Sequence, residues 1–188
     1  MSEAAKIVAV VQGAPSAVVQ DLFRELIDRW SPSTHIAGVV EEGHGLADRA
    51  CSAGRLRSIR DGSLHPIFQD LGPGSEACHL DGAGAVSASE TIQRDIAAGC
   101  DLVILSKFGK LEAARAGLAP AFIAAMEAKA PILTTVSPAF YTAWTQFASP
   151  LFVSLPAEIA SIETWWSDVR RGQPARRESG VPAMSRGF

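Results

Sequence analysis

Short apolar runs that each lead into a stretch of helical periodicity constrain this chain more than any other feature. Lys6 to Val11 is a continuous run rich in β-branched residues, the mark of a strand buried on both faces, and it closes in Gln12-Gly13-Ala14-Pro15-Ser16. Beyond it Val18, Val19, Leu22, Phe23, Leu26, Ile27 and Trp30 recur at three- and four-residue spacing. That spacing predicts a helix over Ala17 to Trp30 with Ser16 as its N-cap, ended by Pro32. Strands are expected at His35 to Val40, Leu102 to Leu105, Ile132 to Val136 and Leu151 to Ser154. Helices are expected at roughly Ala83 to Ala98, Leu118 to Lys129, Phe140 to Phe147 and Ala157 to Arg170. Strands that alternate with helices need crossover connections, so the expectation is an α/β fold with a mostly parallel sheet and helices on both faces, Leu102 to Leu105 being its central strand.

Three stretches break the alternation. Glu41 to Gly54 is polar and interrupted by glycine, and reads as irregular. Leu56 to Arg60 and Leu64 to Phe68 flank Asp61-Gly62-Ser63, a strong hairpin signal that predicts a small antiparallel insertion. Asp70 to Glu76 holds Gly72, Pro73 and Gly74 and leads through Cys78-His79-Leu80-Asp81 into the next helix. From Gly172 onward no apolar period remains, which divides the chain into an α/β domain over 1–171 and an expected disordered tail over 172–188.

Bulk composition narrows the function classes. With 17 basic against 20 acidic residues there is no positive surplus of the kind nucleic-acid binding requires. Apolar runs such as Ile7 to Val11 fall far short of the roughly 20 residues that span a bilayer, so no membrane insertion is expected. Cys51, Cys78 and Cys100 are an odd number without Cys-x-x-Cys spacing, and Met1 to Lys6 has no secretory pattern. Reduced thiols in a cytoplasm are the reading that fits.

In a sheet of this kind ligands sit outside the carboxyl ends of the strands, and the loop after the first strand is the usual phosphate cradle. A working nucleotide cradle reads G-x-x-x-x-G-K-[ST], with lysine for the phosphates and a hydroxyl for magnesium. Here Gly13-Ala14-Pro15-Ser16-Ala17-Val18-Val19-Gln20 has neither the second glycine nor the lysine, and Pro15 deletes one N–H donor. Anion binding at the helix start survives that loss through the helix dipole.

The segment Phe108-Gly109-Lys110-Leu111-Glu112, at the end of the central strand, resembles the Ile-Gly-Lys-Met-Glu tail found in small P-loop nucleoside triphosphatases. The acidic pair that precedes it there, which directs magnesium, is replaced by Ser106 and Lys107. The same segment, with Gly74 to Asp81, Pro131 to Val136 and Trp144, resembles an uncharacterised bacterial family, domain of unknown function 2478. The resemblance covers nearly the whole chain before the tail. It implies a three-layer sheet of P-loop type, and gene neighbourhoods that often include molybdate uptake.

Lys107 and Lys110, separated by Gly109, are candidates to meet an oxyanion, with solvated loop charges as the plain alternative. Gly13, Ser16 and Ser106 complete the ligand-binding set. Cys78, His79 and Cys51 are candidate thiol or soft-metal ligands, against a buried structural role for Cys78. Arg55, Arg57 and Arg60 form a basic ribbon that either clamps an anion or guards a sheet edge. Trp144, Trp165 and Trp166 are expected in the core. The expected function is a non-catalytic protein that binds a small anionic ligand, molybdate or another oxyanion or a nucleotide, through a degenerate cradle. The alternatives are a noncanonical nucleoside triphosphatase and an assembly factor. A homo-oligomer and a molybdenum-related protein partner both remain open.

Overall fold

A computed structural model describes residues 6–43, 54–69, 79–80 and 82–173. The strands are β1 Val8–Gln12, β2 Ile36–Gly43, β3 Gly54–Ser58, β4 Leu64–Pro66, β5 Phe68–Gln69, β6 His79–Leu80, β7 Leu102–Phe108, β8 Ile132–Val136 and β9 Phe152–Pro156. The helices are α1 Ser16–Trp30, α2 Gly82–Ala98, α3 Lys110–Ala113, α4 Ala119–Glu127, α5 Tyr141–Ala148 and α6 Ile159–Gly172. Seven strands form one sheet in the order β4-β3-β2-β7-β8-β1-β9. From β2 to β9 every neighbouring pair is parallel, while β3 and β4 add an antiparallel hairpin at one edge. The fold is therefore α/β with a P-loop-like architecture, and β7 is the middle strand.

Alternation along each strand sorts the core into two layers. Val8 and Val10 of β1, with Val103 and Leu105 of β7, pack against Phe122 of α4 and Trp144 of α5. Ala9 and Val11, with Leu102 and Ile104, pack against Phe23 and Leu26 of α1 and Trp165 and Trp166 of α6. Phe108, Phe122 and Phe147 surround Trp144 with ring centroids 5.2 to 6.1 Å apart, so this aromatic group is core rather than a ligand cage.

Three local expectations are corrected. The stretch after Val40 is not irregular at once: β2 runs on to Gly43, pairing Glu41 with Leu56, Glu42 with Arg55 and Gly43 with Gly54. Strand β7 likewise continues through Ser106 and Lys107 because Phe108 is buried in the aromatic group and pairs with Val136. Ser16 is not the cap of α1 but its first residue; Pro15 occupies the cap position, without a side-chain bond. Asp70 to Cys78, Asp81 and the segment 174–188 lie outside the described residues.

Asp61 fixes the hairpin turn by accepting hydrogen bonds from the Ser63 backbone N–H at 2.9 Å and the Ser63 hydroxyl at 2.7 Å. These donors favour the ionised form and hold its carboxyl down from 3.8 to about 2. A carboxyl lowered in this way contributes stability that is complete above about pH 4 and lost as the pH falls toward about 2. Because the group is exposed, the effect is small and salt-sensitive. Asp61→Asn is expected to flatten the acid fall of the thermal midpoint over that window at low salt. Parallel profiles for the two proteins would remove Asp61 from the acid response.

Candidate functional site

The loop after β1 leads into α1 on one face of the sheet, and the loop after β8 leads toward α5 on the other. Adjacent strands whose connections part in this way leave a crevice at their carboxyl ends. A cleft of about 380 Å³ lies there, lined by Gln12, Gly13, Ala14, Ser16, Lys107, Thr135, Val136, Ser137, Pro138 and Tyr141. Lys107 reaches it from β7 although β8 separates β7 from β1. Lysine length spans that extra strand.

The cleft floor is ordered by its own bonds. Thr135 Oγ1 donates to the Val11 carbonyl at 2.7 Å, and the Ser137 N–H donates to the Phe108 carbonyl at 3.0 Å. The first intrahelical bond of α1 runs from Val19 N to the Pro15 carbonyl at 3.1 Å. The amides of Ser16, Ala17 and Val18 therefore lie in the open first turn, where the helix carries partial positive charge. Gly13 has a φ of +89°, a left-handed value that favours glycine, and the space where a Cβ would stand is empty.

Lys107 Nζ lies 2.9 Å from Glu41 Oε2, with the lysine side chain about one-third exposed and the glutamate nearly buried. The acidic pair missing from β7 is thus answered by a carboxylate on the neighbouring strand β2, and Lys107 is an ion-paired cation. Gln20 supports the arrangement from α1. Its Nε2 donates to the Ser106 carbonyl at 2.7 Å and its Oε1 accepts from Glu41 N at 2.9 Å, which ties the helix to β7 and β2. Gln20 occupies the position of the magnesium-binding hydroxyl in a working cradle. Arg24 donates to the Glu41 carbonyl through Nη2 and pairs with Asp21 through Nη1.

A second cavity, of about 240 Å³, adjoins the first on the β2 side, lined by Glu41, Leu56, Ile67, Ala85, Ser106, Lys107, Gly109, Lys110, Leu111, Glu112 and Leu118. Lys107 is the residue that lines both. Glu112 is 6% exposed and accepts the N–H of Gly109 at Oε2 and of Leu118 at Oε1, each at 2.9 Å. It is a structural clamp, and it consumes the Gly109 amide that close ligand approach would need. Lys110 opens α3 as an exposed residue on the second cavity.

The structure accordingly brings Gly13, Ser16 and Lys107 to one cleft and Ser106, Gly109 and Lys110 to its neighbour. Cys51 and Cys78 fall outside the described residues; His79 is described only as a backbone position in β6. Arg57 is spent on Glu42, to which it donates through Nε and, at 3.0 Å, through Nη2. That guanidinium holds the Glu42 carboxyl below the ordinary carboxylate range. Arg60 lies 3.6 Å from Asp95, whose carboxyl is raised by burial. The basic ribbon is thus largely answered within the fold. Glu41 and Gln20 are the site residues that sequence reasoning missed. The signal for Gln20 was its register in the cradle, and that for Glu41 was a carboxylate ending a strand.

A larger cavity of about 650 Å³ opens at the opposite, amino-terminal edge of the sheet, beside Thr34, Asp101 and Pro131. The carboxyl-end cleft is the better candidate despite its smaller volume, because it has an open helix start facing a cation.

Residues 7–165 match the family described as "Protein of unknown function (DUF2478)". A stretch of 148 residues is 38% identical to "Molybdenum import ATP-binding protein ModC 2" of Bradyrhizobium diazoefficiens, covering 76% of this chain and 16% of that protein. The chain thus spans about 16% of the length of the curated relative it matches. No solved structure matches it.

Proposed function

Because the chain belongs to the DUF2478 family of proteins of unknown function, we propose from its own geometry that it is a non-catalytic binding protein for a small oxyanion. One observation carries the reading. Among the described residues Lys107 is the one charged side chain lining the carboxyl-end cleft, and it faces the open first turn of α1. An ammonium and a helix start across a small cleft form an anion site without requiring a metal. Molybdate is the first oxyanion to test, since the relative with the matching segment is named for molybdenum import.

The departures from a working cradle support binding over turnover. Val19 stands where a phosphate-binding lysine would, Gln20 where the magnesium hydroxyl would, and Gln20 is turned inward to the main chain of two strands. Glu41 favours a second reading, a noncanonical triphosphatase, because it places one carboxylate beside Lys107.

Titration calorimetry with molybdate, sulfate, phosphate and magnesium ATP separates the two. Molybdate is expected to bind, Lys107→Ala to weaken it at least about tenfold, the loss of roughly 1.4 kcal/mol, and ATP to release no phosphate. Absence of heat with every anion sinks the binding reading. Phosphate release that disappears in Lys107→Ala promotes the triphosphatase.

A further inference from the structure

We propose that the natural ligand of this site is zwitterionic: a small phosphorylated or phosphonylated amine whose anion takes Lys107 in the cleft while its ammonium takes Glu41 in the adjoining cavity. The inference rests on the anion-site reading and adds to it the second half of the ligand. Lys107 lines both cavities, whereas Glu41 lines the inner one alone. Glu41 Oε2 is fully shielded from solvent and makes no hydrogen bond. The ammonium of Lys107, 2.9 Å away, compensates it by charge rather than by hydrogen-bond geometry. Neither neighbour from α1 replaces that cation, because Gln20 holds the Glu41 N–H and Arg24 the Glu41 carbonyl, both main-chain groups.

A plain anion that draws Lys107 toward the cleft leaves the Glu41 carboxylate buried without its counter-ion, and that penalty is subtracted from its affinity. The other charged groups on the inner cavity do not remove it. Glu112 has the same sign and is engaged by two amides, and Lys110 is exposed at the first turn of α3. A ligand that carries its own cation exchanges one ion pair for two. The geometry favours a short ligand: Lys107 Nζ and Glu41 Oε2 are 2.9 Å apart before Lys107 turns toward the cleft, so a spacer of about two carbons suits the partners of both groups. Leu56, Ile67 and Leu118 give the inner cavity, of about 240 Å³, an apolar wall suited to that spacer.

Calorimetric titration of wild type and Glu41→Gln with inorganic phosphate, O-phosphoethanolamine and ethanolamine tests the exchange. On wild type O-phosphoethanolamine is expected to bind at least about tenfold more tightly than phosphate, and ethanolamine not measurably. In Glu41→Gln, which keeps both main-chain bonds and the side-chain volume, phosphate binds more tightly than to wild type and the aminated ligand loses its advantage. Equal wild-type affinities for phosphate and O-phosphoethanolamine overturn the zwitterion and leave the anion site standing. Ethanolamine binding as tightly as O-phosphoethanolamine overturns it too. If neither phosphate nor O-phosphoethanolamine binds, the zwitterion is overturned, and the anion site falls with it only if molybdate and sulfate also give no heat.

Discussion

Gly38→Ala is expected to prevent stable folding or to lower stability by more than about 4 kcal/mol, the range reserved for severe core disruption. Gly38 sits in β2 with a φ of +125°, and a Cβ built there would stand 1.8 Å from the Ile104 carbonyl oxygen of β7. That contact is with backbone, so no side chain can turn aside. Strands β2 and β7 would have to part, undoing the pairing of Val39 with Leu105 and disturbing the approach of Glu41 to Lys107. Gly13→Ala is the control, because Gly13 also has a positive φ but no atom within 4 Å of the added carbon. Its cost is torsional alone, about 1–2 kcal/mol. Denaturant midpoints of the two variants separate strain from collision. A Gly38→Ala protein as stable as the Gly13→Ala protein contradicts this account of the β2–β7 contact.

Glu112→Ala is the second large effect, expected to destabilise by about 3 kcal/mol, because it leaves two buried N–H groups, of Gly109 and Leu118, without acceptors. Glu112→Gln keeps one good acceptor and is expected to lose about half as much. The same carboxylate closes the turn between β7 and α4, so the alanine variant also loosens the inner cavity wall at Leu111 and Leu118. Urea unfolding followed by tryptophan fluorescence reads the difference, with Trp144 buried in the neighbouring aromatic group as a reporter. Equal midpoints for wild type and Glu112→Ala would show that the clamp contributes nothing.

What the sequence displayed plainly was what hydrophobic patterning encodes. Val8 to Val11 and Leu102 to Leu105 are apolar at every position because both faces of those strands are covered, and Phe23 and Leu26 mark the inner stripe of α1. The strand ends were hidden because their cohesion is ionic. Glu41, Glu42 and Lys107 look like loop residues, yet Glu42 pairs with Arg57 across β2 and β3 and Glu41 with Lys107 across β2 and β7. Strand order was hidden as well. Nothing local in Ile132 to Val136 says that it runs between the strands bearing Gly13 and Lys107. The candidate site was therefore half legible: its location and Lys107 were visible, while the partner of Lys107 and the inward role of Gln20 depend on contacts distant in sequence. His65 lies buried between Ser63 and Ser87.

The inward amide of Gln20 acts as a ratchet on the sequence of this segment. A single change of Gln20 to serine restores the hydroxyl of a nucleotide cradle on paper, but it strips the Ser106 carbonyl and the Glu41 N–H of their partners in the same step. The intermediate loses those two bonds and still lacks the phosphate-binding lysine, since Val19 stands where it must be. A complete nucleotide cradle would require several replacements to arrive together. On the anion-site reading proposed above, such a chain is more readily retuned toward a different anion than converted into a nucleotide cradle.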